Sequence, residues 1–115
     1  MSHLLGPQPD MEAIPREILV CQEEDGREPF SEWLAGLDAK AEALVLDRID
    51  RLEEGNFGDV QPVGQGVSEL RIDFGPGYRV YFGQIGRQVH LIRGGTKKDQ
   101  QRDIHSAKRF WSDHD

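Results

Sequence analysis

Cysteine is nearly absent from this chain: Cys21 is the one thiol among 115 residues. An internal disulfide is therefore excluded, and so is a cysteine-rich zinc site. Cys21 follows the apolar run Ile18-Leu19-Val20, which reads as a buried strand thiol rather than a nucleophile. Long apolar runs are missing too. None approaches the ~20 residues that span a bilayer, and the amino terminus lacks the basic and apolar regions of a signal peptide. A soluble, cytoplasmic protein with no membrane partner is expected. His3, His90, His105 and His114 are scattered without metal-ligand spacing, and no serine sits in a nucleophile elbow. Gly94-Gly95-Thr96-Lys97 lacks the spacing of a P-loop, and Gly75-Pro76-Gly77 leads into a strand pattern rather than the helix of a dinucleotide fingerprint. Neither a cofactor nor a metal is expected.

What is present fits one domain with a modest core. Apolar residues make up 37% of the chain, low for a globular protein but workable near the commonest domain size. The net charge is −7, which by itself argues against a nucleic-acid partner. Its distribution argues the other way. Residues 1–65 hold 5 basic and 15 acidic side chains, whereas residues 66–115 hold 9 and 6. Such asymmetry hints at a local basic surface on an acidic body, although uneven sampling in a short chain gives the same picture.

Residues 1–15 carry breakers at Gly6, Pro7 and Pro9 and read as an amino-terminal extension, leaving 16–115 as the folded domain. Residues 17–22, EILVCQ, read as a strand apolar enough to lie inside a sheet. Pro29 suits a helix first turn, and Phe30, Trp33, Leu34 and Leu37 follow at amphipathic spacing. Asp38 can cap a second helix with the stripe Ala41, Leu44, Val45, Ile49 and Leu52, ended at Gly55-Asn56. With almost no linker, the two form an αα-hairpin, and the polar residues of the second, Arg48 included, read as a solvated face. Residues 55–66 read as a glycine-rich turn. Residues 87–93 alternate as a strand broken by Gly94-Gly95. Thr96 with Asp99 resembles a capping box for a last helix reaching Trp111. The order is β-α-α-β-β-β-α, an α+β fold with a small, mainly antiparallel sheet, the αα-hairpin on one face and a carboxy-terminal helix.

The informative stretch is residues 67–84, two strands around the turn Gly75-Pro76-Gly77. Alternation puts Leu70, Ile72, Phe74, Tyr78, Val80 and Phe82 on one face. The other face carries Glu69, Arg71, Asp73, Arg79 and Tyr81. Pairing Phe74 with Tyr78 would set Asp73 opposite Arg79 and Arg71 opposite Tyr81. Lys97 and Lys98 open the last helix, where backbone N–H groups and the helix dipole favour an anion. Guanidinium groups grip phosphate through two hydrogen bonds and can hold charge developing during phosphoryl transfer. A tyrosine can stack on a base or move a proton. The plainer alternative is a set of ordinary cross-strand pairs on a solvated sheet.

The runs ELRIDFGPGYRVYF and LIRGGTKKDQQRDIHSAKRFW resemble the RelE/ParE superfamily of bacterial toxins, and FSEWLAGL and RIDRLEEGNFGDVQPVGQGV are similar to its HigB-like, phage Gp49-like branch. The resemblance spans about residues 18–111. It implies a small RelE-like sheet with packed helices and a toxin held by a cognate helix-turn-helix, HigA-like antitoxin, through which the complex would contact operator DNA. It further implies metal-independent cleavage of mRNA on the ribosome. Carried over, Arg79 matches the arginine that contacts the scissile phosphate, and Arg71 falls where those toxins have a strand lysine. Lys97 or Lys98 matches the basic residue that opens the last helix. Glu69 stands where ribosome-cutting members have a second basic residue. Their last-helix tyrosine is replaced near Asp103 and Ile104, with Tyr81 as a substitute. Two alternatives stay open: a non-enzymatic ParE-like inhibitor of DNA gyrase, and a degenerate toxin that serves only to bind its antitoxin.

Overall fold

The computed structural model describes residues 14–114, so the expected amino-terminal extension lies almost wholly outside the described residues. Among the described residues five strands form one sheet in the order β1-β5-β4-β3-β2. In chain order the elements are β1 (Glu17–Val20), α1 (Pro29–Ala35), α2 (Ala39–Glu53), β2 (Val60–Gly64), β3 (Val67–Ile72), β4 (Tyr78–Ile85), β5 (Gln88–Thr96) and α3 (Gln100–His114), with a 3₁₀ turn at Lys97–Asp99 leading into α3. The α+β, mainly antiparallel architecture is the one expected. Among the described strands only β1 pairs in parallel, with β5.

The helices form for local reasons. Pro29 starts α1, where its fixed φ suits the first turn and its missing N–H goes unmissed. Asp38 caps α2 by accepting from the Ala41 N–H at 2.8 Å, a contact typically worth ~1 kcal/mol. At the other end the Asn56 N–H reaches the Arg51 carbonyl and the Gly55 N–H that of Leu52, with Gly55 at φ 91°. This Schellman closure is what the Gly55-Asn56 stop foretold. Both helices cover one face of the sheet. Phe30, Ala41, Val45, Ile49 and Leu52 pack there against Leu70, Ile72, Tyr78, Val80, Phe82, Val89 and Leu91. Arg48 is not on a solvated face, because it is half-buried and its Nη1 donates to the Arg71 carbonyl at 3.0 Å.

Four local expectations change. The first strand is an edge strand rather than an interior one, since only β5 flanks it. The glycine-rich stretch holds an unforeseen strand, β2, pairing antiparallel with β3 through Val60↔Leu70, Gln61↔Glu69 and Pro62↔Ser68. Pro62 hid it, yet an edge strand tolerates proline because one side of its backbone needs no partner. Gly94-Gly95 do not break β5, which pairs on with β4 through Val80↔Gly94 and Arg79↔Gly95. A Cβ on Gly94 would lie 2.0 Å from the Trp33 ring, and one on Gly95 2.1 Å from Asp103 Oδ2. These glycines mark close approach, not termination. Finally, Thr96 makes no side-chain cap.

α3 covers the opposite sheet face, so the sheet is sandwiched. Ala107 and Trp111 pack on Val67, Tyr81 and Ile92, with Cys21, Val63, Ile104 and Phe110 at the margin. Burial pushes the Cys21 thiol up to about 11, which keeps it protonated and un-nucleophilic at neutral pH.

Candidate phosphate-binding site

The β3–β4 register decides the site. Arg71 lies opposite Arg79, Glu69 opposite Tyr81, and Ile72 opposite Tyr78. The expected pairing is therefore shifted by two residues: Asp73 does not face Arg79, and Arg71 does not face Tyr81. The turn is wider than three residues, with Phe74 exposed outside the ladder. An even shift leaves the side chains that stay in the ladder on their expected faces, so Glu69, Arg71, Arg79 and Tyr81 still share one.

On that face two arginines stand directly opposite each other, an arrangement that is destabilising unless a counter-charge intervenes. Glu69 supplies it. Its fully buried carboxylate accepts from Arg71 Nε at 2.8 Å, Tyr81 Oη at 3.0 Å and Gln100 Nε2 at 2.8 Å. Arg79 Nε lies 3.9 Å away, too far for a hydrogen bond, and that buried donor has no acceptor among the described residues. Burial acts to raise the Glu69 pKa, but the hydrogen bonds from Arg71, Gln100 and Tyr81 outweigh it and hold the carboxyl below its usual range. Glu69 is thus ionised at neutral pH.

The arginines differ in access. The Arg71 side chain is 39% exposed and that of Arg79 11%, so Arg71 is the outer cation and Arg79 the inner one. Arg79 Nη1 donates to the Tyr78 carbonyl at 3.2 Å. Gly77, at φ 79°, leaves room for this guanidinium. A Cβ there would lie 3.4 Å from Arg79 Nη1 and 3.3 Å from Lys97 Cβ. The Lys97 N–H also donates to the Gly77 carbonyl at 2.8 Å. Lys97 is thereby anchored beside Arg79, and it and Lys98 are exposed.

Tyr81 sits differently from expectation. Its ring is fully buried, so stacking on a base is closed to it. Burial, together with the adjacent Glu69 carboxylate, drives its hydroxyl well above the usual phenol range. Its observed task is to donate to Glu69. Asp103, near the position of the missing helix tyrosine, is likewise buried. Arg93 lies 3.4 Å and Arg102 3.7 Å from its Oδ1, yet neither oxygen accepts a hydrogen bond among the described residues. Burial raises its pKa, with Arg93 and Arg102 countering only in part.

Arg71, Arg79, Tyr81 and Lys97 lie in one region, as the alternation and the last-helix start imply, but two organisers were not expected. Glu69 was legible as a face-mate of Arg71 by alternation, but its burial beneath α3 was not. Gln100 left no signal at all. Among the described residues, no group of three or more histidine, cysteine or acidic side chains is arranged to hold a metal, and no helix is long and apolar enough to cross a membrane.

A family model described as Phage derived protein Gp49-like (DUF891) matches residues 32–110, a span that includes every residue of this site. The chain belongs to the Gp49-like family. That family lies within the RelE/HigB-like toxin superfamily, so this Gp49-like protein is toxin-like and implies a cognate antitoxin as partner. An uncharacterized protein of Haemophilus influenzae (strain ATCC 51907 / DSM 11121 / KW20 / Rd) is 49% identical over 81 residues, 69% of this chain and 82% of the relative. No solved structure matches.

Proposed function

We infer that this Gp49-like protein is the toxin of a toxin–antitoxin pair and arrests growth by cutting mRNA on the ribosome. The observation that carries this reading is the cross-strand pair Arg71↔Arg79 with Lys97 anchored beside it. RNA carries its own nucleophile. The 2′-oxygen attacks the adjacent phosphorus, the bond from phosphorus to the 5′-oxygen breaks, and the proton lost by the 2′-OH is balanced by one gained at the 5′-oxygen. The step needs stabilisation of a pentacoordinate, doubly charged phosphorane. Side-chain cations can supply it without a metal.

In this reading Arg79 and Arg71 hold the non-bridging oxygens, Arg79 from below and Arg71 from the solvent side. Lys97 and Lys98 contact flanking phosphates. Tyr81 acts indirectly, through Glu69. The antitoxin is a helix-turn-helix, HigA-like protein.

Arg79→Ala tests it. Growth arrest on induction and transcript cleavage on programmed ribosomes should both be lost, while antitoxin binding persists. Retained toxicity would overturn the assignment. Early DNA damage with intact transcripts on induction of the parent chain would instead favour gyrase inhibition.

A further inference from the structure

The residue that organises the arginine pair is an acid, and it reaches both arginines along the same edge. Glu69 Oε1 takes the Arg71 Nε at 2.8 Å, and Oε2 faces the Arg79 Nε at 3.9 Å. Neither contact involves a terminal Nη group. Arg71, hydrogen-bonded at Nε, still presents its Nη atoms, the prongs that grip phosphate oxygens, whereas Arg79, whose Nη1 donates to the Tyr78 carbonyl, keeps Nη2 for that task. The carboxylate is itself over-determined. Tyr81 Oη fixes it from β4 and Gln100 Nε2 from the first turn of α3. A wholly buried carboxylate is costly unless paired and hydrogen-bonded, and here it has both.

We propose that Glu69 is a positioning residue that holds the Arg71 guanidinium by a hydrogen bond at Nε and the Arg79 guanidinium by charge attraction on its Nε side, in the orientation that grips the scissile phosphate. This rests on the ribonuclease reading of the site. The physical logic is that two cations facing each other across a ladder repel and would splay apart. One buried anion between their stems offsets that repulsion while leaving a net positive charge toward solvent. Gln100 couples the carboxylate to α3, so the lysine-bearing turn and the arginine pair share one framework.

The test is Glu69→Gln, measured on ribosomes programmed with a defined mRNA and by NMR of the arginine Nε–H groups. Glutamine keeps the shape and removes the charge. Misplacement of the reacting geometry on the scale of one ångström costs about a hundredfold. The expected result is a fall in kcat of that order with KM unchanged or lower, because the variant surface is more positive. The Nε–H signals of Arg71 and Arg79 should shift and exchange faster. Glu69→Asp keeps the charge and should recover part of kcat; it serves as the readable variant if glutamine prevents folding. Parent-like kcat in a folded Glu69→Gln chain, or unaltered Nε–H signals, overturns the proposal. A KM that rises in step with the loss of kcat overturns it too, as a general loss of the binding surface. Should the parent chain itself leave mRNA intact, the ribonuclease reading fails, and the Nε–H measurement still decides whether Glu69 holds the arginines.

Discussion

Tyr81 and Asp103 illustrate what burial does to a residue that looks chemical in a sequence. Tyr81 has no exposed ring face and spends its hydroxyl on Glu69. Tyr81→Phe should therefore destabilise the fold by about 1.5–3 kcal/mol, the range for a lost hydrogen bond to a charged group. It should lower cleavage far less than Arg79→Ala does. Chemical denaturation beside a cleavage assay checks this; a large activity loss at unchanged stability would return the hydroxyl to proton transfer. Asp103 is the opposite case to Glu69. Its folded pKa is raised by burial, so the folded state holds its proton to higher pH than the unfolded chain. The stability this contributes is full below the ordinary carboxylate pKa and is lost as pH rises through the raised value. For Glu69 the folded pKa is lowered, and its contribution is lost as pH falls below the ordinary range. Relative to Asp103→Asn, the parent protein should lose stability as pH rises above about 4, whereas relative to Glu69→Gln it should lose stability as pH falls below about 4.3. Paired melting curves taken on both sides of the ordinary carboxylate range would show the two opposite dependences.

The elements of this fold meet at glycines. Trp33 of α1 lies on Gly94 of β5, and Trp111 of α3 lies on Gly83 of β4, where an added Cβ would approach ring atoms to 2.0 Å and 2.4 Å. Fused indole rings cannot bend away as a flexible side-chain end would. Gly94→Ala should thus cost roughly 1–3 kcal/mol, the usual penalty of overpacking, read as a lowered denaturation midpoint. A midpoint equal to the parent's would mean that α1 shifts freely on the sheet. The helices themselves were legible because apolar spacing, Pro29, Asp38 and Gly55 are all local signals. β2 was not, because its sequence, VQPVG, carries the marks of a turn, although it pairs with the very next strand, β3, as a hairpin. The continuation of β5 through Gly94-Gly95 was hidden because two glycines read locally as a break, while what requires them is the Trp33 ring on α1 and Asp103 on α3.

For the whole molecule, the acidic and basic halves of the chain acquire spatial meaning. The basic residues of the site come from β3, β4 and the turn before α3, all in the basic half. An overall charge of −7 opposes approach to a polyanion, so binding should depend on a few local contacts and respond to salt through them. Each phosphate contact on single-stranded RNA contributes a slope of roughly −0.7 in log K against log salt. Replacing Lys97 and Lys98 together by alanine should flatten that slope by roughly 1.4, measured as affinity for programmed ribosomes over a salt series. An unchanged slope would remove both lysines from the interface.

By itself the sequence determined the fold class, the two helices on one sheet face, and which side chains share a face with Arg71 and Arg79. Those follow from periodicities of 3.6 and 2, which are properties of neighbouring residues. Tertiary structure alone decided the register, and with it the opposition of Arg71 and Arg79. It also decided the burial of Tyr81 and the conversion of Glu69 from an apparent departure into the anchor of the site. The register goes with the wide turn over residues 73–77, between the end of β3 and the start of β4, whereas the burial of Tyr81 and Glu69 depends on α3 covering the polar face. No local pattern encodes that cover, because it comes from contacts between residues distant in the chain.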